Sequence, residues 1–439
     1  MRLAAPVLAG LLTSLLLSLI LTGLGLRDGG SSPAAVTTTA HPSAITADLV
    51  RFFESRVERD RQDFVAYNRL ADAYVQRARQ TGDVADYGRA EAALQASLEA
   101  LPQDNYDAFV QLAVVKNATH EFEEALRLAD EALAIDAGEP FAIAVRGDAL
   151  VALSRYDEAQ EAYQQVVAQV PGLSSFGRLA GLLELRGDLE TAELMWGNAL
   201  SSDSGRRPES TAWARVQLGH LRFSTGDFET ADEEYGRALN AFPGYVHALA
   251  GLARVHAARG DYESAISLYD EVVARYPVPE YVAALGDVAL AAGREDEAAR
   301  QYELVAAIDD LYRANGVNTD LQMAQFLADH DLRPDEALRQ AGAVYEERPS
   351  IQAADTLAWA LYKAGRPQDA LAFSDEALRL GTRDASMLFH AAMIRLELGD
   401  LDGARERLEL ALDINPEFSV LYAGPAAETL AQLRAAVRG

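Results

Sequence analysis

The chain has no cysteine among its 439 residues. That excludes disulfide staples, thiolate nucleophiles, thiolate-ligated zinc and a lipid-modified N-terminal cysteine. Lysine is nearly as scarce, occurring only at Lys116 and Lys363, so arginine supplies the rest of the positive charge. Positive charge is itself in deficit, with 39 Lys and Arg against 67 Asp and Glu and a formal net charge of −28. A surface of that sign repels nucleic acid and anionic lipid, so neither is an expected partner, and solubility is its plain consequence. Chemistry-bearing motifs are missing too. His120-Glu121 has no second histidine four residues on, and no phosphate-loop glycine pattern or serine elbow occurs. His220, His247 and His256 are the densest histidines; His247 and His256 stand nine apart, near opposite faces of one helix, and cannot share a metal. The Asp and Glu pairs sit where helices begin, where capping accounts for them. No catalytic residue, metal site or cofactor site is expected, and the chain reads as something other than an enzyme.

One long apolar run is present, from Pro6 to Leu26, with Arg2 before it. A membrane span needs about 20 such residues, whereas a cleaved signal has a shorter core and a small-residue cleavage site. The run predicts an N-terminal transmembrane anchor over residues 1–27 with the remainder outside the cytoplasm. Cleavage near Ala40 or Ala44, giving a secreted or periplasmic chain, is the alternative. Membrane contact is expected through this segment only. Residues 28–44 are rich in Gly, Ser, Thr and Pro without an apolar period, and read as a disordered tether.

From Ile45 a helical period begins, and one phrase then recurs. It reads Gly187-Asp188-Leu189-Glu190-Thr191-Ala192, then Gly226-Asp227-Phe228-Glu229-Thr230-Ala231, Gly260-Asp261-Tyr262-Glu263-Ser264-Ala265 and Gly399-Asp400-Leu401-Asp402-Gly403-Ala404. Looser copies start at Ser154, Gly293 and Gly365, and two more end in Ala125 and Ala337. The nine alanines are spaced by 34, 33, 39, 34, 33, 39, 33 and 34 residues. A glycine that can turn left-handed ends one helix, and the Asp caps the next. The alanine lets two helices approach closely. Each period therefore predicts a hairpin of two antiparallel helices, with insertions at Gln80 to Gly88, Asp203 to Ser210 and Asp309 to Asn318.

Leu252, Ala253, His256, Gly260-Asp261-Tyr262, Ala265, Tyr269, Val272 and Pro277 make up one full period, and prolines recur at Pro102, Pro171, Pro243, Pro349 and Pro416. The pattern resembles the tetratricopeptide repeat (TPR) family, of bacterial membrane-anchored or secreted type. Matching pairs are Leu112-Ala113, Leu179-Ala180, Leu218-Gly219, Leu285-Gly286 and Leu357-Ala358, with rings at Tyr163, Trp196, Tyr235, Tyr269 and Tyr302. Asp355 to Lys363 and Leu380 to Asp384 are similar to the closing repeats of many bacterial envelope TPR proteins. The resemblance implies an all-α, right-handed superhelical solenoid of about ten repeats over residues 45–416, with a capping helix over residues 417–439.

It also implies binding, of a protein or peptide segment, in a concave groove lined by the first helix of each unit. Positions expected to face it include Asp148, Arg178, Trp213, His220, Phe223, Arg254, Asp287, Phe326, Asp355, Trp359 and Tyr362. Arg178, Trp213, His220, Phe223, Arg254, Trp359 and Tyr362 form the expected partner surface. Trp213 stands out because Arg215 occupies the packing-aromatic slot of its unit. The Lys, Asn and Arg clamp that holds peptide C-termini in some relatives is missing: Asn68 is present, but Val110, Gln111, Ala144 and Asp148 follow. The expected task is non-catalytic scaffolding in the assembly or organisation of envelope proteins. An extracytoplasmic receptor for a secreted peptide or glycan is the alternative.

Overall fold

The computed structural model describes residues 42–438, which form twenty-two α-helices. Helix α1 (Pro42–Arg59) leads, and ten successive helix pairs follow. They are α2 (Phe64–Thr81) with α3 (Ala85–Ala100), α4 (Tyr106–Ala118) with α5 (Phe122–Ile135), and α6 (Pro140–Ala152) with α7 (Tyr156–Gln169). Next come α8 (Leu173–Leu185) with α9 (Leu189–Ser202), α10 (Pro208–Ser224) with α11 (Phe228–Ala241), and α12 (Val246–Ala258) with α13 (Tyr262–Arg275). Then α14 (Pro279–Ala291) with α15 (Glu295–Ala314), α16 (Asp320–Asp329) with α17 (Pro334–Glu347), α18 (Ile351–Lys363) with α19 (Pro367–Ala377), and α20 (Ala385–Glu397) with α21 (Leu401–Ile414). Helix α22 (Ala423–Arg438) ends the chain. With α1 and α22 counted, the helices amount to eleven pairs, one more than the expected ten.

The helices divide into two compact units, one of residues 42–170 with Leu311–Asn318, the other of Pro171–Asp310 with residues 319–438. In the second unit, the Gly-Asp copies of the repeated phrase do what their residues predict. At Gly226 the backbone turns left-handed (φ 76°), and the amide of Asp227 donates back to the carbonyl of Arg222 at 2.9 Å. The Asp227 carboxylate then accepts from the amide of Thr230 at 3.1 Å. Asp188, Asp261 and Asp400 cap in the same way. The nine phrase alanines are at most 2 % exposed, as close helix contact demands. In the first unit two of these turns lack glycine: His120 (φ 65°) and Ser154 (φ 63°) adopt the left-handed conformation despite a Cβ.

Rings of the second helices rest on glycines of the first. A Cβ on Gly219 would stand 2.6 Å from the Tyr235 ring, and one on Gly251 2.5 Å from the same ring. Tyr235, fully buried, is therefore held between α10 and α12. The third insertion is mostly helix. It lengthens α15 through Ala314, and only Asn315 and Gly316 (φ 77°) turn.

The expected transmembrane element requires correction. Among the described residues, no helix is long and apolar enough to cross a membrane. Even the 20-residue α15 carries Glu295, Asp296, Glu297, Arg300, Glu303, Asp309, Asp310 and Arg313, a charge on nearly every turn. The apolar run at residues 6–26 lies outside the described residues, as does the tether up to residue 41. The described fold is thus an all-α helix-pair array without a membrane span. The expectations of a membrane contact through an N-terminal anchor, and of a cell-membrane location through it, are withdrawn with that element.

Candidate functional site

Within the second unit, the first helices α10, α12, α14, α16 and α18 present residues to a groove, and the chain itself enters that groove. After α21, residues 415–422 leave helical geometry and cross these helices in a run of turns. Asn415 Nδ2 donates to the carbonyl of Phe223 at 2.8 Å, at the end of α10. Val420 packs on the core shared by α12, α13 and α14. The Tyr422 hydroxyl donates to the carbonyl of Asp329 at 3.3 Å, at the end of α16. Phe418 and Tyr422 are buried, and both rings meet Phe389 of α20.

The predicted groove residues fall into two groups. Four are buried. Arg178 is 1 % exposed and bonds Ser174 on its own helix. Trp213 is 3 % exposed and packs edge-on to Trp196 at 5.4 Å. Phe223 underlies Arg254, whose guanidinium stands 3.8 Å above the ring. Trp359 is stacked between Tyr362 (4.9 Å) and His390 (4.2 Å). The half-buried group is His220, Arg254 and Tyr362. Asp148 belongs to the first unit and accepts from Tyr163 at 2.9 Å.

A register links these positions. Asp148, His220 and Asp287 each bond the hydroxyl of a tyrosine fifteen residues later: Tyr163, Tyr235 (2.8 Å) and Tyr302 (2.7 Å). Where the second helix has only Ala341 or Ser374 in the ring slot, the first helix supplies the ring, Phe326 or Trp359. Arg254 occupies the same register against Tyr269 but makes no such bond; no carboxylate lies within ion-pair distance of it among the described residues.

Burial sets the electrostatics. The His220 imidazole is pushed down to about 3 by desolvation, so it is neutral. Glu184, which accepts from Trp196 Nε1 at 2.6 Å, is pushed up to about 7 by desolvation, as is Glu280. Asp287 Oδ1 also accepts from His330 Nε2 at 2.8 Å, while His330 Nδ1 faces the Phe326 carbonyl at 2.7 Å. Both ring nitrogens then act as donors, which is the imidazolium form. Burial opposes that charge most strongly, but Asp287, the Phe326 carbonyl and Asp329 together outweigh it and the His330 pKa is raised. Asp355 and His390 form a second buried pair at 3.0 Å. Among the described residues no cluster of three or more His, Cys, Asp or Glu could hold a metal ion.

Sequence reasoning missed residues 415–422 as an occupant of the groove. The available signal was composition: Phe418, Val420, Leu421 and Tyr422 make an apolar non-helical stretch, and such a stretch needs burial.

Two openings to solvent flank Phe418. One adjoins Glu184, His220 and Asp384; the other adjoins Arg254, Tyr269, Asp287 and Glu417.

Family models described as tetratricopeptide repeat match residues 216–280, 258–314 and 356–417, and one described as a tetratricopeptide repeat-like domain matches residues 56–189. Together they cover more than half of the chain. No curated protein matches significantly. Among solved structures, a tetratricopeptide repeat protein from Parabacteroides merdae is 16 % identical, with 56 % of this chain and 99 % of that one covered at a TM-score of 0.41. The APC/C hetero-tetramer Cut9-Hcn1 is 15 % identical, with 89 % and 93 % covered at 0.39. The human IFIT1 dimer with PPP-AAAA is 14 % identical, with 72 % and 73 % covered at 0.47. None of these likenesses says what this chain does.

Proposed function

Because this chain belongs to the tetratricopeptide-repeat family, we propose that it is a non-catalytic scaffold holding a segment of a protein partner along the first helices of its second unit. The observation that supports this reading is the chain's own residues 415–422, which already lie across those helices as a ligand would. His220, Arg254 and Tyr362 offer polar and aromatic contacts to such a segment. Arg178, Trp213, Phe223 and Trp359 shape the floor beneath it. Aromatic and arginine side chains dominate the energetics of protein interfaces. The sequence of the last repeats, Asp355 to Lys363 and Leu380 to Asp384, extends the proposal to partners that take part in envelope assembly.

Replacing both Phe418 and Tyr422 by Ala removes the two rings that seat the segment. In that full-length double variant, a labelled synthetic peptide of residues 415–438 should bind saturably, read by fluorescence anisotropy, and His220→Ala or Tyr362→Ala should weaken it. A folded double variant that ignores the peptide would count against the groove as a segment-binding surface.

A further inference from the structure

We infer that the opening beside Phe418 lined by Arg254 is a binding site for a small zwitterion, a free amino acid with an apolar side chain. This goes beyond the partner reading and does not depend on it, because the site exists with residues 415–422 in place.

The register of first helices makes Arg254 exceptional. Its counterparts Asp148, His220 and Asp287 are each bonded to a tyrosine hydroxyl. Arg254 has its flat face on Phe223, and the N–H edge of its guanidinium has no acceptor among the described residues. The hydroxyl of Tyr269 is likewise without a partner there. Neither group is sealed from the opening, for neither is among the buried polar atoms that lack a partner. Two unbonded donor groups on one wall make an acceptor-shaped vacancy. A guanidinium fork matches a carboxylate in charge and in geometry.

The rest of the lining decides between anions. Glu417 enters from residues 415–422, is exposed, and its carboxylate is unbonded. Asp287 lies behind the same wall, but it is paired with His330 and its Oδ2 is sealed from the opening. A phosphate or dicarboxylate would place a second negative charge against Glu417. A ligand with one carboxylate and one ammonium meets both signs. Between them the walls are Ala257, Ala258, Ala284, Val288 and Val420, which suit an aliphatic side chain.

The test is calorimetric titration of the full-length protein with L-leucine and its two half-molecules, leucinamide (no carboxylate) and isocaproate (no ammonium). Leucine should bind with a Kd in the millimolar range or tighter, and each half-molecule at least about tenfold more weakly. Arg254→Gln should abolish leucine binding. Tyr269→Phe, which removes only the hydroxyl, should weaken it several-fold, and Glu417→Gln should erase the preference for leucine over isocaproate. Absence of saturable leucine binding overturns the inference. So does isocaproate or inorganic phosphate binding as tightly as leucine, or leucine binding unchanged in Tyr269→Phe and Glu417→Gln. Those two variants decide the matter if Arg254→Gln fails to fold by circular dichroism. None of these outcomes bears on the partner proposal, which is read in the Phe418/Tyr422 double variant with a peptide.

Discussion

Tyr235 should reveal itself through two glycines that are harmless apart and costly together. Its ring lies between Gly219 of α10 and Gly251 of α12, with the positions of added Cβ atoms 2.6 Å and 2.5 Å away. Overpacking of a buried site costs about 1–3 kcal/mol, while exchanging a helical glycine for alanine returns about 1 kcal/mol of backbone propensity. Gly219→Ala alone should therefore destabilise the second unit by about 1 kcal/mol, because the ring can slide toward Gly251. Gly251→Ala should do the same in the opposite direction. With both in place the ring has nowhere to move, and its hydroxyl is tethered to His220 at 2.8 Å. The double variant should lose about 4 kcal/mol, against about 2 for independent sites, a coupling within the range seen for side chains in contact. Denaturant titration followed by tryptophan fluorescence is the assay, since all three tryptophans (Trp196, Trp213 and Trp359) belong to the second unit and report its transition. An unchanged slope with a shifted midpoint identifies a stability effect. Additivity within about 0.5 kcal/mol would refute the sandwiched ring. Tyr235→Leu in the double background should relieve the coupling if the ring is its cause.

Two further outcomes follow from particular groups. In the first unit Ser154 holds φ at 63°, a conformation costing a residue with a Cβ roughly 1–2 kcal/mol relative to glycine; Ser154→Gly should raise the thermal midpoint of that unit by several degrees in calorimetry, and a fall would contradict the strain argument. Burial pushes the carboxyl of Glu184 up to about 7 from its ordinary 4.5. Between those pH values the folded state keeps a proton that the unfolded state has released, so stability from this group falls as pH rises through the window. Glu184→Gln should flatten that slope in denaturation curves measured from acid to neutral pH, and an unaltered slope would remove Glu184 as its source.

The fold was legible where one residue decides one conformation. Gly226 and Asp227 announce a helix stop and a cap from their covalent structure alone, and the buried alanines follow from their spacing. The insertion near Asp309 was located by its spacing, but its form was not legible, because a polar stretch can extend a helix as well as leave one; α15 continues through Ala314. At the candidate site, periodicity put Trp359 and Phe326 on the groove-facing side. It could not show that Ser374 and Ala341 leave the ring slot vacant on the partner helix, so that a ring from the first helix stands at that level. Pairs such as Asp287 with His330, or Asp355 with His390, join first helices of neighbouring units, and nothing in a single helical period encodes that meeting.

Residues 415–422 also alter how the acidity of the groove is understood. The chain carries a large negative charge, yet the acids facing this groove are not solvated surface groups. Glu184 and Glu280 are raised to about 7 by burial, and Asp384 is raised as well. Phe418, which lines one opening together with Glu184 and Asp384, excludes water there and thereby favours their neutral forms. The same covering strengthens any charge pairing made inside, because the screening solvent is gone. Arg254 is the group on which these effects meet. Burial lowers its pKa, but a guanidinium does not surrender its proton at ordinary pH. It therefore remains a cation in a poorly solvated place without a bonded anion. The openings beside Phe418 leave room for that anion, whether a ligand or a partner's side chain supplies it. The segment that covers the groove thus strengthens the demand for an anion at Arg254 that its own residues do not meet.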